Sequence, residues 1–210
     1  MILSHEEWNN INKTVMLLWS TVDEKALREN ILYSIKDLIP FNLGGFCHYT
    51  YSDNAKESVI ENYVMVGDPS KESIEEHKYM YDNIYGKYDY TKWLLGNKES
   101  IVCRESDIIS DKIREKTSFY KDFLKPRGLL YCLDCYIINE AIKPSILFFY
   151  RDAVSGDFSD REVYILSKLM PHIEGRFVLT SSYSDTPPFA NSRMPSRYIL
   201  EIPTVLHGAR

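Results

Sequence analysis

The sequence predicts an α+β domain, in which helices flank a central antiparallel sheet of five or six strands and the two terminal helices pack together. Apolar residues recur at helical spacing near both ends of the chain, and apolar strand-like segments come in pairs separated by a few turn residues. Strands joined by such short turns pair in the antiparallel sense. The predicted order is α-α-β-β-α-loop-β-α-β-β-α.

Two amphipathic helices are predicted at the start of the chain. Ser4 and Glu7 form a capping box, which satisfies exposed amides of a first helical turn in both directions. Thr21 and Glu24 have the same spacing and predict the start of the second helix, which Pro40 ends. The inward-facing positions are Trp8, Ile11, Val15, Leu18 and Val22 in the first helix, and Leu27, Ile31, Ile35 and Leu38 in the second.

A β-hairpin follows these helices. Residues 41–52 alternate around a pair of glycines, which predicts a bulge or a close approach of another group. Asp53 and Asn54 form the predicted turn, and residues 57–67 are the antiparallel partner strand. The Asp68-Pro69 pair then predicts the start of another helix, because proline suits the first helical position.

The rest of the chain alternates between irregular, helical and extended segments. Residues 81–96 are aromatic and polar, and we interpret them as a loop with short helical pieces. A third capping box, Ser159 with Glu162, begins a closing helix that Pro171 is expected to kink or strain. Between these lie a short strand (101–107), a helix (111–124) and two core strands (129–138 and 145–150) joined by a turn (139–144).

The bulk composition narrows the class of protein. The chain has 210 residues, a net charge of −5 and four cysteines. A negative net charge disfavours a nucleic-acid surface, which needs clustered Lys and Arg. We see no secretory signal and no apolar run long enough to span a bilayer. We therefore expect a cytoplasmic protein with reduced thiols, no membrane contact and no nucleic-acid binding by this chain.

Two cysteines lie in one predicted strand, and their spacing argues against a redox pair. Side chains alternate faces along a strand, so Cys132 and Cys135 are expected on opposite faces. A Cys-x-x-Cys redox pair needs a helix N-terminus that brings both sulfurs together. Zinc would need two further ligands. We interpret both cysteines as small buried hydrophobic residues.

Asp134 is the one acid of this otherwise apolar strand. A buried carboxyl needs a hydrogen-bonding partner or a wet cavity. Two interpretations remain open: Asp134 lies at an edge facing solvent, or it lies on the floor of a pocket and hydrogen-bonds a ligand.

The sequence has no motif for a metal site, for nucleotide binding or for nucleophilic catalysis. The five histidines are scattered and have no metal-ligand spacing, and there is no phosphate loop or dinucleotide fingerprint. No Ser, Cys or His has the spacing of a nucleophile with its base. We predict no metal and no cofactor.

Several phrases resemble the GAF-like sensory domain found at the N-terminus of LuxR-type helix-turn-helix regulators. The resemblance covers roughly residues 5–180, which we assign to one domain, with residues 181–210 as a Pro- and Ser-containing tail. That tail is too short for the family's DNA-binding module. The similar phrases are Asp89-Tyr90 with Trp93, RESDI (104–108), FYKDFLKPRGLLYCL (119–133), ILFFYRDAVSGDFSDRE (146–162) and ILSKLMPHIE (165–174).

The resemblance implies a ligand cavity between the sheet and a cover formed by residues 79–93. The alternative is that the aromatic residues of this region only close the core. The implied function is a non-catalytic domain for small-molecule sensing or dimerisation, and the ligand is unknown. The candidate lining residues are Tyr63, Met65, Tyr81, Tyr85, Tyr88, Trp93 and Asp134.

Two further expectations concern assembly and an alternative activity. Trp8, Trp19 and Phe177 add apolar surface beside the stripes of the terminal helices, which predicts a homodimer through these helices. Some GAF-like domains are thiol enzymes that reduce methionine sulfoxide. That alternative needs two thiols close in space, and Cys103 is the remaining candidate to approach Cys132 or Cys135.

Overall fold

A computed structural model describes residues 1–51, 58–67 and 74–184. The fold is α+β, as predicted, with a five-stranded antiparallel sheet in the order β2-β1-β5-β4-β3. The turn predicted at Asp53-Asn54 and the helix start predicted at Asp68-Pro69 lie outside the described residues. The strands are β1 (Leu43–Tyr51), β2 (Ser58–Gly67), β3 (Ile101–Arg104), β4 (Tyr131–Ile137) and β5 (Ser145–Arg151).

The helices divide between the two faces of the sheet. Three long helices cover one face, and shorter helical segments between β2 and β4 cover the other. The helices are α1 (His5–Ser20), α2 (Glu24–Leu38), α3 (Ile74–Met80), α4 (Glu105–Ile108), α5 (Asp111–Arg114) and α6 (Asp160–Ser184). Single π or 3-10 turns are formed by Tyr81–Tyr85, Gly86–Tyr88, Lys92–Gly96, Phe119–Leu124 and Lys125–Arg127.

The terminal helices pack against each other, which confirms that prediction. Arg176 on α6 donates from Nε to Leu18 O and from Nη2 to Thr21 O, each at 2.9 Å. At the other end, Arg161 forms an ion pair with Glu7 of α1. Helix α6 runs without interruption through Pro171. Among the described residues, no helix has the length and apolarity needed to cross a bilayer.

The capping boxes at α1 and α6 form as predicted, but the one at α2 does not. Ser4 exchanges hydrogen bonds with Glu7, and Ser159 does so with Glu162. The N-cap of α2 is Asp23, whose carboxylate accepts from the backbone amide of residue 26 at 2.7 Å. Thr21 instead ends α1, because its hydroxyl donates to a carbonyl of the last turn.

The segment that joins the cover to β4 differs in detail from the prediction. The helix predicted over 111–124 is a short α-helix, a break and a π turn that brings Phe119 and Phe123 to the sheet. The strand predicted over 101–107 ends at Arg104, where α4 begins. Gly128 has φ 73°, which lets the chain turn sharply into β4.

Candidate ligand cavity

A small cavity lies between the sheet and the cover formed by α3 and the turns that follow it. Its volume is about 40 Å³, enough for a water-sized group, whereas ligand pockets span roughly 300–1,000 Å³. Strands β1, β2, β4 and β5 supply the floor. The lining residues are Cys47, Tyr49, Ile60, Tyr63, His77, Tyr81, Asp89, Thr91, Asp134, Ile146, Phe148 and Tyr150.

The Phe148 side chain forms part of the floor of this cavity. It is 8% exposed, and its ring stacks on Tyr63 with centroids 6.2 Å apart. Gly45 lies directly beneath: a Cβ at that position would lie 2.1 Å from Phe148 Cζ. The glycine therefore serves the close approach predicted from the sequence, since any larger residue would displace the phenylalanine.

The cover side of the cavity carries an ordered polar cluster centred on Asp89. Its carboxylate accepts from the Tyr81 hydroxyl at 2.6 Å, from Thr91 N at 2.9 Å and from Thr91 Oγ1 at 2.7 Å. The Tyr81 hydroxyl also lies 3.1 Å from the hydroxyl of Tyr49 on β1. This cluster ties the cover to the sheet and presents carboxylate and hydroxyl oxygens at the cavity.

Asp134 lies on the floor of the cavity and is buried, with 4% of its surface exposed. Cys132 Sγ donates to its carboxyl at 3.0 Å, and the Tyr136 hydroxyl lies at 3.4 Å. Burial is the main cause that raises the pKa of Asp134 to about 8, and the charge of Asp89 adds to it. At neutral pH the carboxyl is therefore mostly protonated and can donate a hydrogen bond.

The structure brings three of the predicted site residues together at the cavity. Tyr63, Tyr81 and Asp134 all line it. Met65 lies beside them, because the Tyr63 hydroxyl donates to its sulfur at 2.6 Å. Ligand contact by these residues stays a prediction.

The other three predicted site residues lie away from the cavity lining. Tyr85 stacks on Phe123 at 5.2 Å within the cover. Tyr88 and Trp93 are 49% and 62% exposed. Their side chains point outward because the short 3-10 turns that carry them place only part of each turn against the sheet.

The sequence interpretation missed several lining residues. Tyr49 and Phe148 lie on one face of β1 and β5, but only their packing in the structure shows that this face meets the cover. Asp89 was noted as part of a similar phrase and not as a cavity residue. Its local signal was the Asp-x-Thr spacing, which suits a side chain that accepts hydrogen bonds from the backbone two residues on.

A buried ion pair holds the cover in place beside the cavity. Arg114 Nη1 donates to Glu105 at 2.9 Å and to Leu130 O at 2.8 Å. The hydroxyl of Tyr90, next to Asp89, donates to the same Glu105 carboxylate. Breaking a buried pair of this kind costs about 3–5 kcal/mol. The bond from Tyr90 thus anchors the cover next to Asp89.

The four cysteines are buried and free. Cys132 and Cys135 lie on opposite faces of β4, as predicted, in the cover-side and helix-side cores. Burial raises the pKa of Cys103 to about 12 and that of Cys132 well above its usual range. Within the described residues, no three His, Cys, Asp or Glu side chains are grouped as a metal site.

A similar fold occurs in several solved structures, among them a ligand-binding domain and a GAF domain. The VqsR ligand-binding domain from Pseudomonas aeruginosa has a TM-score of 0.59 at 10% identity, over 86% of this chain and 98% of that one. SdiA in complex with octanoyl-rac-glycerol has a TM-score of 0.60 at 9% identity, over 91% and 74%.

The GAF domain of an Acinetobacter phosphoenolpyruvate-protein phosphotransferase has a TM-score of 0.53 at 10% identity, over 86% of this chain and 98% of that one. The chain has a GAF-like fold. No family profile and no curated protein sequence matches the chain significantly. The likeness therefore lies in the fold, which the LuxR-type ligand-binding domains share with GAF domains.

Proposed function

We propose that this chain is a non-catalytic sensor domain related to those of LuxR-type regulators, and that it binds a small neutral molecule between the sheet and the cover. The observation that carries this proposal is the cavity itself, where a protonated carboxyl, Asp134, faces an acceptor cluster at Asp89. The protonated acid suits a ligand carbonyl, and Asp89 suits a ligand N–H or O–H. The Asp89 carboxylate disfavours an anionic ligand.

Because the cavity is small, most ligands could enter it only if side chains moved. A ligand larger than about 40 Å³ must displace side chains that line the cavity, and Phe148 and Tyr81 are two large ones among them. The same small volume favours a second candidate function, a filled domain that serves dimerisation only. Ligand uptake is what distinguishes the two.

The thiol-enzyme alternative finds little support. Cys103 and Cys132 share one face of the sheet, but both are buried and their raised pKa values disfavour the thiolate that such chemistry requires.

We expect a ligand to be carried through purification or to be replaced by an amphiphile. Native mass spectrometry of the purified chain should show an adduct, and octanoyl-rac-glycerol is a suitable probe, because SdiA has been solved with it. Asp134→Ala should weaken binding by about 1–3 kcal/mol, the cost of losing one buried hydrogen bond. If no adduct is found and the probe does not change the melting temperature, the result would favour the alternative, a filled domain that serves dimerisation only.

We also propose a homodimer through the terminal helices. Phe177 does not contribute to such a surface as expected, because its ring is buried and stacks on Phe46 at 5.0 Å. Met16 is 71% exposed and lies one turn from the partly buried Trp19 on α1. These two side chains offer the apolar contact that a self-complementary interface needs.

The dimer prediction has a simple test. Light scattering should give twice the chain mass of 24.6 kDa at micromolar concentration. Met16→Glu should lower the apparent mass toward the monomer, because it buries a charge at the interface. Ile113→Glu changes another exposed apolar residue, on the cover side, and should leave the dimer intact. A monomeric parent protein would contradict the prediction.

A further inference from the structure

A second cleft lies on the opposite face of the sheet from the cavity, beside the C-terminal part of α6. Its volume is about 180 Å³. The start of α2, the β1–β2 hairpin, the β4–β5 turn and the end of α6 all contribute to it. The side chains that matter for its chemistry are Glu24, Arg28, His48, Ile142, Lys143 and Phe177.

Arg28 is the unusual residue of this cleft, because it is buried and uses little of its hydrogen-bonding capacity. It is 5% exposed, and its guanidinium lies over the Phe46 ring at 5.8 Å. A guanidinium has five N–H donors. Within the described residues, Arg28 donates one side-chain hydrogen bond, from Nη2 to Glu24 at 2.8 Å, and its buried Nε has no acceptor.

A buried arginine with spare donors is expected to face an acceptor. Leaving buried donors unpaired is costly, more so for a charged group. Glu24 satisfies only part of this need, because half of its side chain is exposed and it accepts from only one nitrogen of the guanidinium group. An oxyanion in the cleft would satisfy the remaining donors in the planar, two-point geometry that guanidinium groups favour.

His48 lines the cleft beside Arg28, and its tautomer is set by its neighbours. The Ser145 hydroxyl donates its single proton to Lys143 O at 2.8 Å, so it accepts from His48 Nδ1 at 2.6 Å. The neutral ring therefore carries its proton on Nδ1. Burial is the main cause that lowers the pKa of His48 to about 4, and the charges of Arg28 and Lys143 add to it.

The rest of the lining indicates which anion fits. Ile142 and the Phe177 ring give the cleft an apolar wall. Lys143 adds a cation at the rim, partly neutralised by Glu61. A dianion such as phosphate would be repelled by Glu24 and would meet too few donors for its desolvation. A single carboxylate on a short apolar body matches one buried guanidinium and an apolar wall.

We propose that this cleft is a binding site for a small monocarboxylate, which Arg28 holds by its carboxylate while Phe177 and Ile142 contact its apolar part. Occupation would join α2 and β1 to the last turns of α6, on the side of the molecule where the chain leads into residues 185–210. The site does not depend on the cavity, and it lies across the sheet from Asp134.

The test is an NMR titration of the full chain with acetate, butyrate and benzoate, read from the Arg28 Nε–H and His48 ring signals. We expect saturable shifts with Kd on the order of millimolar, and tighter binding of butyrate or benzoate than of acetate. Sodium phosphate and sodium chloride at equal ionic strength should give no saturable shift of these signals.

Three variants separate the site from alternatives. Arg28→Met keeps most of the side-chain volume and should weaken butyrate binding about tenfold or more. Glu24→Gln removes the competing carboxylate and should strengthen it severalfold. Asp134→Asn changes only the cavity and should leave it unchanged.

Arg28→Met and Glu24→Gln are expected to change butyrate binding in opposite directions. If Arg28→Met fails to fold, Glu24→Gln still tests the proposal, because it changes an exposed residue. Absence of saturable binding by all three carboxylates at tens of millimolar would overturn the proposal. So would binding that Asp134→Asn abolishes, or binding that Glu24→Gln leaves unchanged.

Discussion

Asp134→Asn is expected to be more stable than the parent protein at pH 8 and equally stable near pH 4. The pKa of this carboxyl is raised in the folded state from its ordinary value of 3.8 to about 8. The folded state therefore binds the proton more tightly than the unfolded state, and the stability of the parent falls as pH rises through this interval. Below about pH 4 both states are protonated, and the penalty vanishes.

The asparagine variant removes this penalty because it cannot ionise. Each tenfold difference in proton affinity corresponds to about 1.4 kcal/mol, so the gain at pH 8 is on the order of a few kcal/mol. Urea unfolding of both proteins at pH 4, 6 and 8 measures it. Asp37→Asn, at an exposed position on α2, is the matched control and should show no such divergence.

Parallel stability curves for the parent and Asp134→Asn would contradict this prediction. They would mean that water or a rearranged cover solvates the carboxyl, and that it is ionised in the folded state. The protonated donor on which the proposed ligand chemistry rests would then be lost as well.

The fold was predictable because its signals are local. The Ser4–Glu7 capping box, the stripes of α1 and α6 and the alternation along β4 each reflect interactions within a few residues. The same local character explains the error at α2. Thr21 and Asp23 both suit an N-cap, but of the three residues between α1 and α2 only Asp23 directly precedes α2, while Thr21 caps the end of α1.

The site was predictable only in part, because it depends on contacts between distant segments. Asp134 is recognisable in the sequence as an acid in an apolar strand. Whether its side chain faces solvent or the interior depends on the position of the cover, which the sequence does not give. The contact between Gly45 and Phe148 joins residues more than one hundred positions apart, and sequence patterns do not report it. In the sequence, Arg28 looks like an ordinary polar residue of an amphipathic helix. Its burial follows from its packing against Phe46, which lies on a different element.

The second large effect on stability is expected from Phe148→Ala, which should enlarge the cavity. Removing a fully buried phenylalanine ring costs about 3–5 kcal/mol of unfolding free energy, since the rigid sheet beneath cannot collapse into the space. Phe149→Ala is the matched control, because this neighbouring phenylalanine is also buried but lies in the helix-side core. Chemical denaturation should give similar losses for both variants.

The two enlarged cavities should differ in what they bind. Phe148→Ala exposes a space bordered by Asp134, Tyr81 and Asp89, so phenol should raise its melting temperature more than benzene does. Phe149→Ala leaves an apolar cavity, where the phenol hydroxyl finds no partner, so benzene should be preferred. The milder Phe148→Leu should show the same preference if the alanine variant does not fold. If both variants prefer benzene, the polar groups do not face the space that Phe148 fills, and the cavity is core rather than a ligand site.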